Sequence, residues 1–539
     1  MSGLDTPLTP LRFLARAAEV HPHRPAVLDG ERRWTWQEFA REVTVFAQAL
    51  RAGGVRPGDR VAVLGSNSAE LLAAHFAVPL VHAVLVAVNT RLRAPEVAYI
   101  CEHSGAALLL GDAGLLANLD QHGFANVTEF VELPGQDGAY HGVAGTTRYA
   151  DFLARGTSEP LPWEVDDETR TIAINYTSGT TGNPKGVEYS HRGAYLNSLG
   201  ELHHQRLDAS SRYLWSLPMF HCNGWCTTWA LTAAAGTHVC LRAVRGADMW
   251  SLIDGEGITH LAGAPTVLTT LASAPEAHPL PRLLTITTAG APPSPTIIGR
   301  IRDLGAQLLH VYGLTETYGP YAVCEPQDSW STLPVAEQAR LLARQGVGML
   351  TAERLRVVRR RNDATDPLVD VLPDGREMGE IVMRGNSVMK GYFRDPAATE
   401  AAFAGGWLHS GDLGVMHPDG YVQLLDREKD VVISGGENIS TVEVEQALLS
   451  HPDVIDVAVI GVPDDTWGER PKAFAVLAPG ADASGTAHLI EHIRGRIAHY
   501  KAPREIEIVA ELPRTSTGKV RKNELRESAW GGQAARIRG

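Results

Sequence analysis

Short apolar runs alternate with helical periodicities through the first four hundred residues. "RVAVLG" (60–65) precedes a helical stretch over 68–82, "RLLTITTAG" (282–290) precedes a helix from about Ser294, and "QLLHVYG" (307–313) follows it. Strand and helix in alternation predict a mostly parallel sheet with helices on both faces. Ligands on such sheets bind beyond the carboxyl ends of the strands. "TIAINYTSG" (171–179), "TITTAGAPP" (285–293) and "LLHVYGLTET" (308–317) each run from an apolar strand into a Gly/Thr-rich loop. Three loops are therefore expected to meet at one sheet edge.

After about residue 378 the pattern changes. "EIVMRG" and "LGVMHPDGYVQLLD" are strands joined by tight turns such as Pro418-Asp419-Gly420, a small antiparallel unit. Beyond "DREKD" (426–430) lies a compact α+β segment. Its long helix is marked by Leu489, Ile490, Ile493 and Ile497, its strands by "DVAVIGV" and "KAFAVL". The predicted organisation is α/β: a large N-terminal domain, 1–428, of doubly wound sheets with the antiparallel unit, then a small α+β domain, 429–530, with the boundary at Lys429. Residues 531–539 are expected to be a disordered tail. The stretch 71–88 reaches the length of a membrane span, but Pro79 and two histidines interrupt it and "SNS" before it starts a helix, so a buried helix and strand are predicted instead.

Composition narrows the function. A chain of 539 residues exceeds one ordinary core, and 44% hydrophobic with 21% charged residues describes a globular protein. A formal charge of −13 argues against nucleic acid as a partner, so an anionic ligand must be met by local donors. Five cysteines, sparse and odd in number, suit a reducing compartment, and with no signal-peptide pattern in the first twenty residues a cytoplasmic location is expected. His221, Cys222 and Cys226 lie close together, yet no second ligand pair with zinc spacing follows, and zinc is not expected there.

"YTSGTTGNPKG" (176–186) has the ingredients of an anion cradle. Glycines let backbone N–H groups converge, the hydroxyls of Thr177, Ser178, Thr180 and Thr181 add donors, and Lys185 brings charge. Gly182 is followed by Asn-Pro-Lys-Gly, not by the Lys-Ser/Thr of the common nucleotide loop. On composition alone a flexible surface loop remains the competing reading.

The stretch closely resembles the phosphate loop of the adenylate-forming enzymes, the acyl-CoA synthetases, luciferases and peptide-synthetase adenylation domains. "AGAPP" (289–293), "YGLTET" (312–317), "SGD" (410–412) with "DREKD", and "PRTSTGK" (513–519) follow in that family's order, so the resemblance covers nearly the whole chain. It implies ATP, Mg²⁺ and coenzyme A as cofactors. Thr177, Ser178, Gly179, Thr180, Thr181, Gly182 and Lys185 would cradle the β- and γ-phosphates. Glu316, with Thr177, would contact Mg²⁺, and Thr315 would donate to the α-phosphate. Tyr312 would lie on adenine, with Gly290, Ala291 and Gly313 allowing close approach; His310 stands where relatives often carry an amide. Asp412 would take the ribose hydroxyls and Arg427 the ribose or phosphate. Lys519 would be catalytic, bridging two anions as the carboxylate attacks. Lys429 would be the hinge about which a mobile C-terminal domain turns between half-reactions, and Gly435 and Gly436 would border the pantetheine tunnel.

"PMFHCNGWC" (218–226) is similar to the acyl-pocket segment of fatty and aromatic acyl-CoA synthetases. His221, Gly224 and Trp225 would line that pocket, and with no Asp or Arg in the segment to pair with an amino acid, a short- or medium-chain fatty or an aromatic acid is implied. The expected reaction is an acid–thiol ligation through an acyl-adenylate. Two alternatives stay open: an acyl-AMP ligase serving a carrier-protein thiol or an amine, and a non-catalytic nucleotide-binding protein. A homodimer is one compatible assembly.

Overall fold

The computed structural model describes residues 4–120, 123–177, 183–290, 295–361, 366–434, 437–464, 466–478, 480–481, 485–515 and 518–530. Among them, four sheets carry the architecture. In the nine-stranded sheet, Gln307–Leu314, Thr285–Thr288, His260–Gly263, Arg212–Trp215, Thr237–Cys240 and Pro25–Asp29 run parallel in that spatial order, with antiparallel strands at both edges. In the eight-stranded sheet, Thr171–Tyr176, Val84–Ala87, Arg60–Leu64, Ala106–Asp112, Glu129–Leu133 and Thr146–Arg148 run parallel, and Gly186–Ser190 then Gly391–Tyr392 close one edge antiparallel. Val- and Ile-rich runs without alternation form these strands because both faces of a parallel sheet are covered.

One expectation is corrected here. The strand leading into the Thr/Gly loop belongs to the eight-stranded sheet, whereas Thr285–Thr288 and Gln307–Leu314 belong to the nine-stranded one. The strands leading into the three loops therefore belong to two sheets and do not share one edge. Buried parallel strands look alike in sequence, and which sheet a strand joins is decided by pairings far away in the chain.

The stretch weighed as a span is the helix Ala69–Leu80 followed by the strand Val84–Ala87, and all twelve helical residues are buried. Ser68 caps the helix by accepting the Leu71 N–H at 3.2 Å. A helix apolar on every side is a core helix, and among the described residues no helix is long and apolar enough to cross a membrane.

Arg356–Val358, Met378–Met383, Leu408–Met416 and Val422–Arg427 form the antiparallel sheet, which begins earlier than the change of pattern at 378 suggests. The last sheet is built on the long pair Val454–Asp464 and Gly468–Leu477. Its helix Ala487–Arg494 has only eight residues, so the long helix expected through Ile497 is a correction: Leu489 and Ile493 are buried in it, and Ile497 packs from beyond its end.

Candidate active site

The Thr/Gly loop expected to cradle phosphate is closed at its base by the Thr177 N–H, which donates to the Lys185 carbonyl at 3.0 Å. Ser178, Gly179, Thr180, Thr181, Gly182, Ala291, Gly435 and Gly436 lie outside the described residues. Beside the loop, Lys185 Nζ stands 4.8 Å over the ring of Tyr392, and the Tyr392 hydroxyl donates to Glu316 Oε1 at 2.8 Å. Burial, then the Glu316 charge, pushes the Tyr392 phenol up, so it stays a donor. The Thr315 carbonyl accepts from the Tyr189 hydroxyl at 2.6 Å, and the Glu316 carbonyl from Met389 N–H at 2.8 Å. Glu316 and the Thr177 hydroxyl offer only hard oxygen ligands, the donor set Mg²⁺ takes.

The next pocket is built on Tyr312, buried on the strand Gln307–Leu314. Its hydroxyl donates to Asp412 Oδ2 at 2.8 Å. Arg427 Nε forms an ion pair with Oδ1 of the same carboxylate at 3.0 Å, yet Oδ1 receives no hydrogen bond from the described residues although Asp412 is only 2% exposed. The ion pair offsets the charge but leaves Oδ1 without an aligned donor, a position that a ligand hydroxyl can fill. The Asp412 charge in turn holds the Arg427 guanidinium above its ordinary value. At Gly313 a Cβ would sit 1.8 Å from the Gly319 carbonyl oxygen, so this sharp approach of two strands admits only glycine. His310 is committed elsewhere: its ring bonds the Arg344 carbonyl through Nδ1 at 2.8 Å, and burial pushes it down to about 4, leaving it neutral.

Lys519 reaches this cleft from the last segment of the chain. A Cβ on Gly290, whose φ is +93°, would lie 3.4 Å from Lys519 Cε. Burial lowers the ammonium's pKa, Arg427 lowers it further, and Asp412, Cys222 and Glu316 oppose that shift. The lysine sits on a tight loop held by the Arg514↔Val520 bridge, with its own N–H on Thr515 Oγ1 at 3.1 Å. Lys429 lies between Arg427, the end of one sheet, and Val432, the start of the next. Across that point Asp426 Oδ2 accepts from Thr441 N–H at 2.5 Å and Thr441 Oγ1 at 2.8 Å, and the Ser440 hydroxyl donates to the Leu425 carbonyl at 2.5 Å.

The segment 218–226 adopts an unusual backbone. Cys222, Asn223, Gly224, Trp225 and Cys226 all have φ between 45° and 60°. A left-handed turn costs roughly 1–2 kcal/mol per non-glycine residue, so it persists only where surroundings over-determine it. Those surroundings are visible. A Cβ on Gly224 would strike Trp215 at 2.7 Å, and one on Gly319 would strike Trp225 at 2.8 Å, so each glycine lets an indole close on the turn. Asn67 donates to the Trp215 and Leu217 carbonyls at 2.6 and 2.9 Å and accepts the Met219 N–H at 2.7 Å, while Asn175 donates to the Phe220 carbonyl at 3.0 Å. His221 is pushed down to about 3, mainly by burial and then by Lys519, so it is neutral at physiological pH.

Sequence reasoning missed Tyr392, Asn67 and Asn175. Asn67 was visible only as part of a helix start, and its role depends on a segment some 150 residues away. Asn175 sits inside the phosphate-loop strand, where a buried amide amid Ile and Ala was the signal.

Residues 14–393 match the model of the AMP-binding enzyme family and residues 443–519 that of the AMP-binding enzyme C-terminal domain. An acetate–CoA ligase of Humulus lupulus is 43% identical, over 97% of this chain and 95% of its own length. A peroxisomal benzoate–CoA ligase of Arabidopsis thaliana is 38% identical, over 98% and 94%. The crystal structure of ATP-bound MatB from Rhodopseudomonas palustris has a TM-score of 0.82 at 27% identity, covering 96% of this chain and 98% of that one. The chain therefore belongs to the AMP-binding enzymes, the adenylate-forming family that its loops resemble.

Proposed function

We propose that this enzyme activates a small uncharged carboxylic acid, short-chain or aromatic, with ATP and transfers the acyl group to coenzyme A. A carboxylate oxygen attacks the α-phosphorus, the bond to the β-phosphate bridging oxygen breaks, and pyrophosphate leaves. The thiol sulfur of coenzyme A, its proton lost to solvent, then attacks the acyl carbon, and AMP departs with the electron pair of the mixed anhydride.

The observation that carries this reading is the desolvated Lys519 ammonium lying over Gly290 among Arg427, Asp412 and Glu316. Two anions must be driven together in the first step, and a compact cation held in a dry cleft lowers that barrier. Asp412, with its vacant acceptor, would take a ribose hydroxyl; Tyr312 would face the base; Thr315 and Lys185 would meet phosphate oxygens. Mg²⁺, held by Glu316 and Thr177, would neutralise charge on the triphosphate.

Acid choice rests on the 218–226 turn. It presents Trp225 and a neutral His221 and no ionised side chain. The acetate and benzoate ligases among the relatives support an acid of that small class. We place the domain boundary at Lys429, with the C-terminal domain turning there so that Lys519 withdraws after adenylation. All five cysteines are buried and free, which suits a reducing compartment such as the cytoplasm. Transfer to a carrier-protein thiol or an amine is the second reading.

The test is acid-dependent pyrophosphate release across acetate, butyrate, benzoate, cinnamate and octanoate, with and without coenzyme A. Release with a short or aryl acid, and thioester formed only when coenzyme A is added, is the expected result. Release that never consumes coenzyme A would move the assignment to an acyl-AMP ligase.

A further inference from the structure

The reaction leaves one cluster of imidazoles without a task. Among the described residues, His451, Asp453 and His488 are the one group of three possible metal ligands whose ligand atoms all lie within 4.8 Å of one another. His451 and Asp453 follow the helix Thr441–Leu449, and His488 is in the helix Ala487–Arg494 packed against it. His451 Nδ1 accepts the Asp453 N–H at 3.2 Å, which leaves Nε2 as the ring's open nitrogen, and it lies 4.0 Å from Asp453 Oδ2; among the described residues no Lys or Arg pairs with that carboxylate. The His451 and His488 rings are 5.3 Å apart.

His492, one turn beyond His488, closes the group from the side. Its ring meets His451 edge to face at 4.7 Å and 74°. The Ser450 hydroxyl donates to the Ala447 carbonyl at 2.7 Å, so His492 Nε2–H, 2.8 Å away, donates to Ser450 and the ring is fixed. Histidines four apart share a helix face, and His451 lies two residues beyond the C-terminus of the helix Thr441–Leu449, the end whose dipole favours a cation. Two imidazoles and a carboxylate suit zinc and its neighbours far better than Mg²⁺.

We propose that His451, Asp453 and His488 form a binding site for a divalent transition cation of the Zn²⁺ class, with His492 as a positioning residue. The helix Thr441–Leu449 is nine residues long, about 13 Å at the α-helical rise, and Thr441 at its start bonds Asp426. The cation would therefore bind at the end of that helix opposite the Asp426 contact.

The full-length protein, freed of metal by chelation, would be titrated with Zn²⁺ and with Co²⁺ in excess Mg²⁺, using equilibrium dialysis and the visible spectrum of bound Co²⁺. One cation per chain is expected, with bands of a low-coordinate Co²⁺ site. His451→Ala and His488→Ala should each weaken binding at least about a hundredfold and His492→Ala about tenfold, while Glu491→Ala on the same helix leaves it unchanged. Pyrophosphate release by the variants, assayed with Mg²⁺ but without Zn²⁺ or Co²⁺, should match that of the wild type under the same conditions, which shows that they are folded; His488→Gln replaces any alanine variant that is not. No stoichiometric uptake by the wild type, or uptake that survives loss of either histidine, overturns the site.

Discussion

Tyr312 and Asp412, a hundred residues apart in the chain, share a hydrogen bond of 2.8 Å inside the cleft, with the phenol as donor. The bond leaves Asp412 Oδ1, beside Arg427, open to a ligand. Asp412→Asn should weaken ATP binding roughly 10–100-fold, the scale of a lost charged hydrogen bond of about 1.5–3 kcal/mol. Tyr312→Phe, which keeps the ring, should cost much less. Calorimetry with a non-hydrolysable ATP analogue measures both; equal losses would mean that the carboxylate serves the fold and not the nucleotide.

Lys519 should matter for one half-reaction only. Lys519→Ala is expected to lower acid-dependent pyrophosphate release about 10²-fold or more, while synthetic acyl-adenylate plus coenzyme A still yields thioester. Near-normal pyrophosphate release would remove the lysine from the mechanism.

Lys429→Pro fixes φ at the proposed hinge and should spare adenylate formation while blocking thioester formation. Thr441→Val, which removes the hydroxyl bond to Asp426 across the hinge, should shift the balance the opposite way, slowing adenylation relative to transfer. Single-turnover assays of each step resolve the two. A parallel loss of both steps in Lys429→Pro would speak against a two-state joint.

Glu201 is buried and pushed up to about 8, chiefly by desolvation, against an ordinary value near 4.5. Between those pH values the folded chain holds a proton that the unfolded chain has released. Its stability contribution is therefore complete below about pH 4.5 and fades as pH rises toward 8, by up to about 1.4 kcal/mol per pH unit. Glu201→Gln has no proton to lose, so its urea midpoint should gain on the wild type as pH goes from 5 to 8. A difference that does not change with pH would show that Glu201 is ionised in the fold.

The order of strands and helices, the antiparallel unit and the helix Ala69–Leu80 were legible because period, Pro/Gly turns and caps are local. So was the family, because the blocks around Lys185, Glu316, Asp412 and Lys519 are short contiguous motifs. Distant pairings were not. Nothing in "RTIAINY" says that its strand joins Val84–Ala87 and not Thr285–Thr288, and nothing around Tyr392 announces that its hydroxyl will meet Glu316. The left-handed turn at 222–226 was equally hidden: Asn223 and Gly224 tolerate it, but Cys222, Trp225 and Cys226 have no local preference for it, and Asn67, Asn175 and the Trp215 indole hold it from outside, with Gly319 making room for Trp225.

The Asp426–Thr441 contact bears on timing. Were the C-terminal domain to turn at Lys429 as proposed, each passage from one half-reaction to the other would break and later remake two hydrogen bonds to a buried carboxylate. How long the reactive anhydride waits for its thiol would then be governed at a joint that touches neither substrate, and relatives with the same reacting groups could differ in leakage to water through that joint alone.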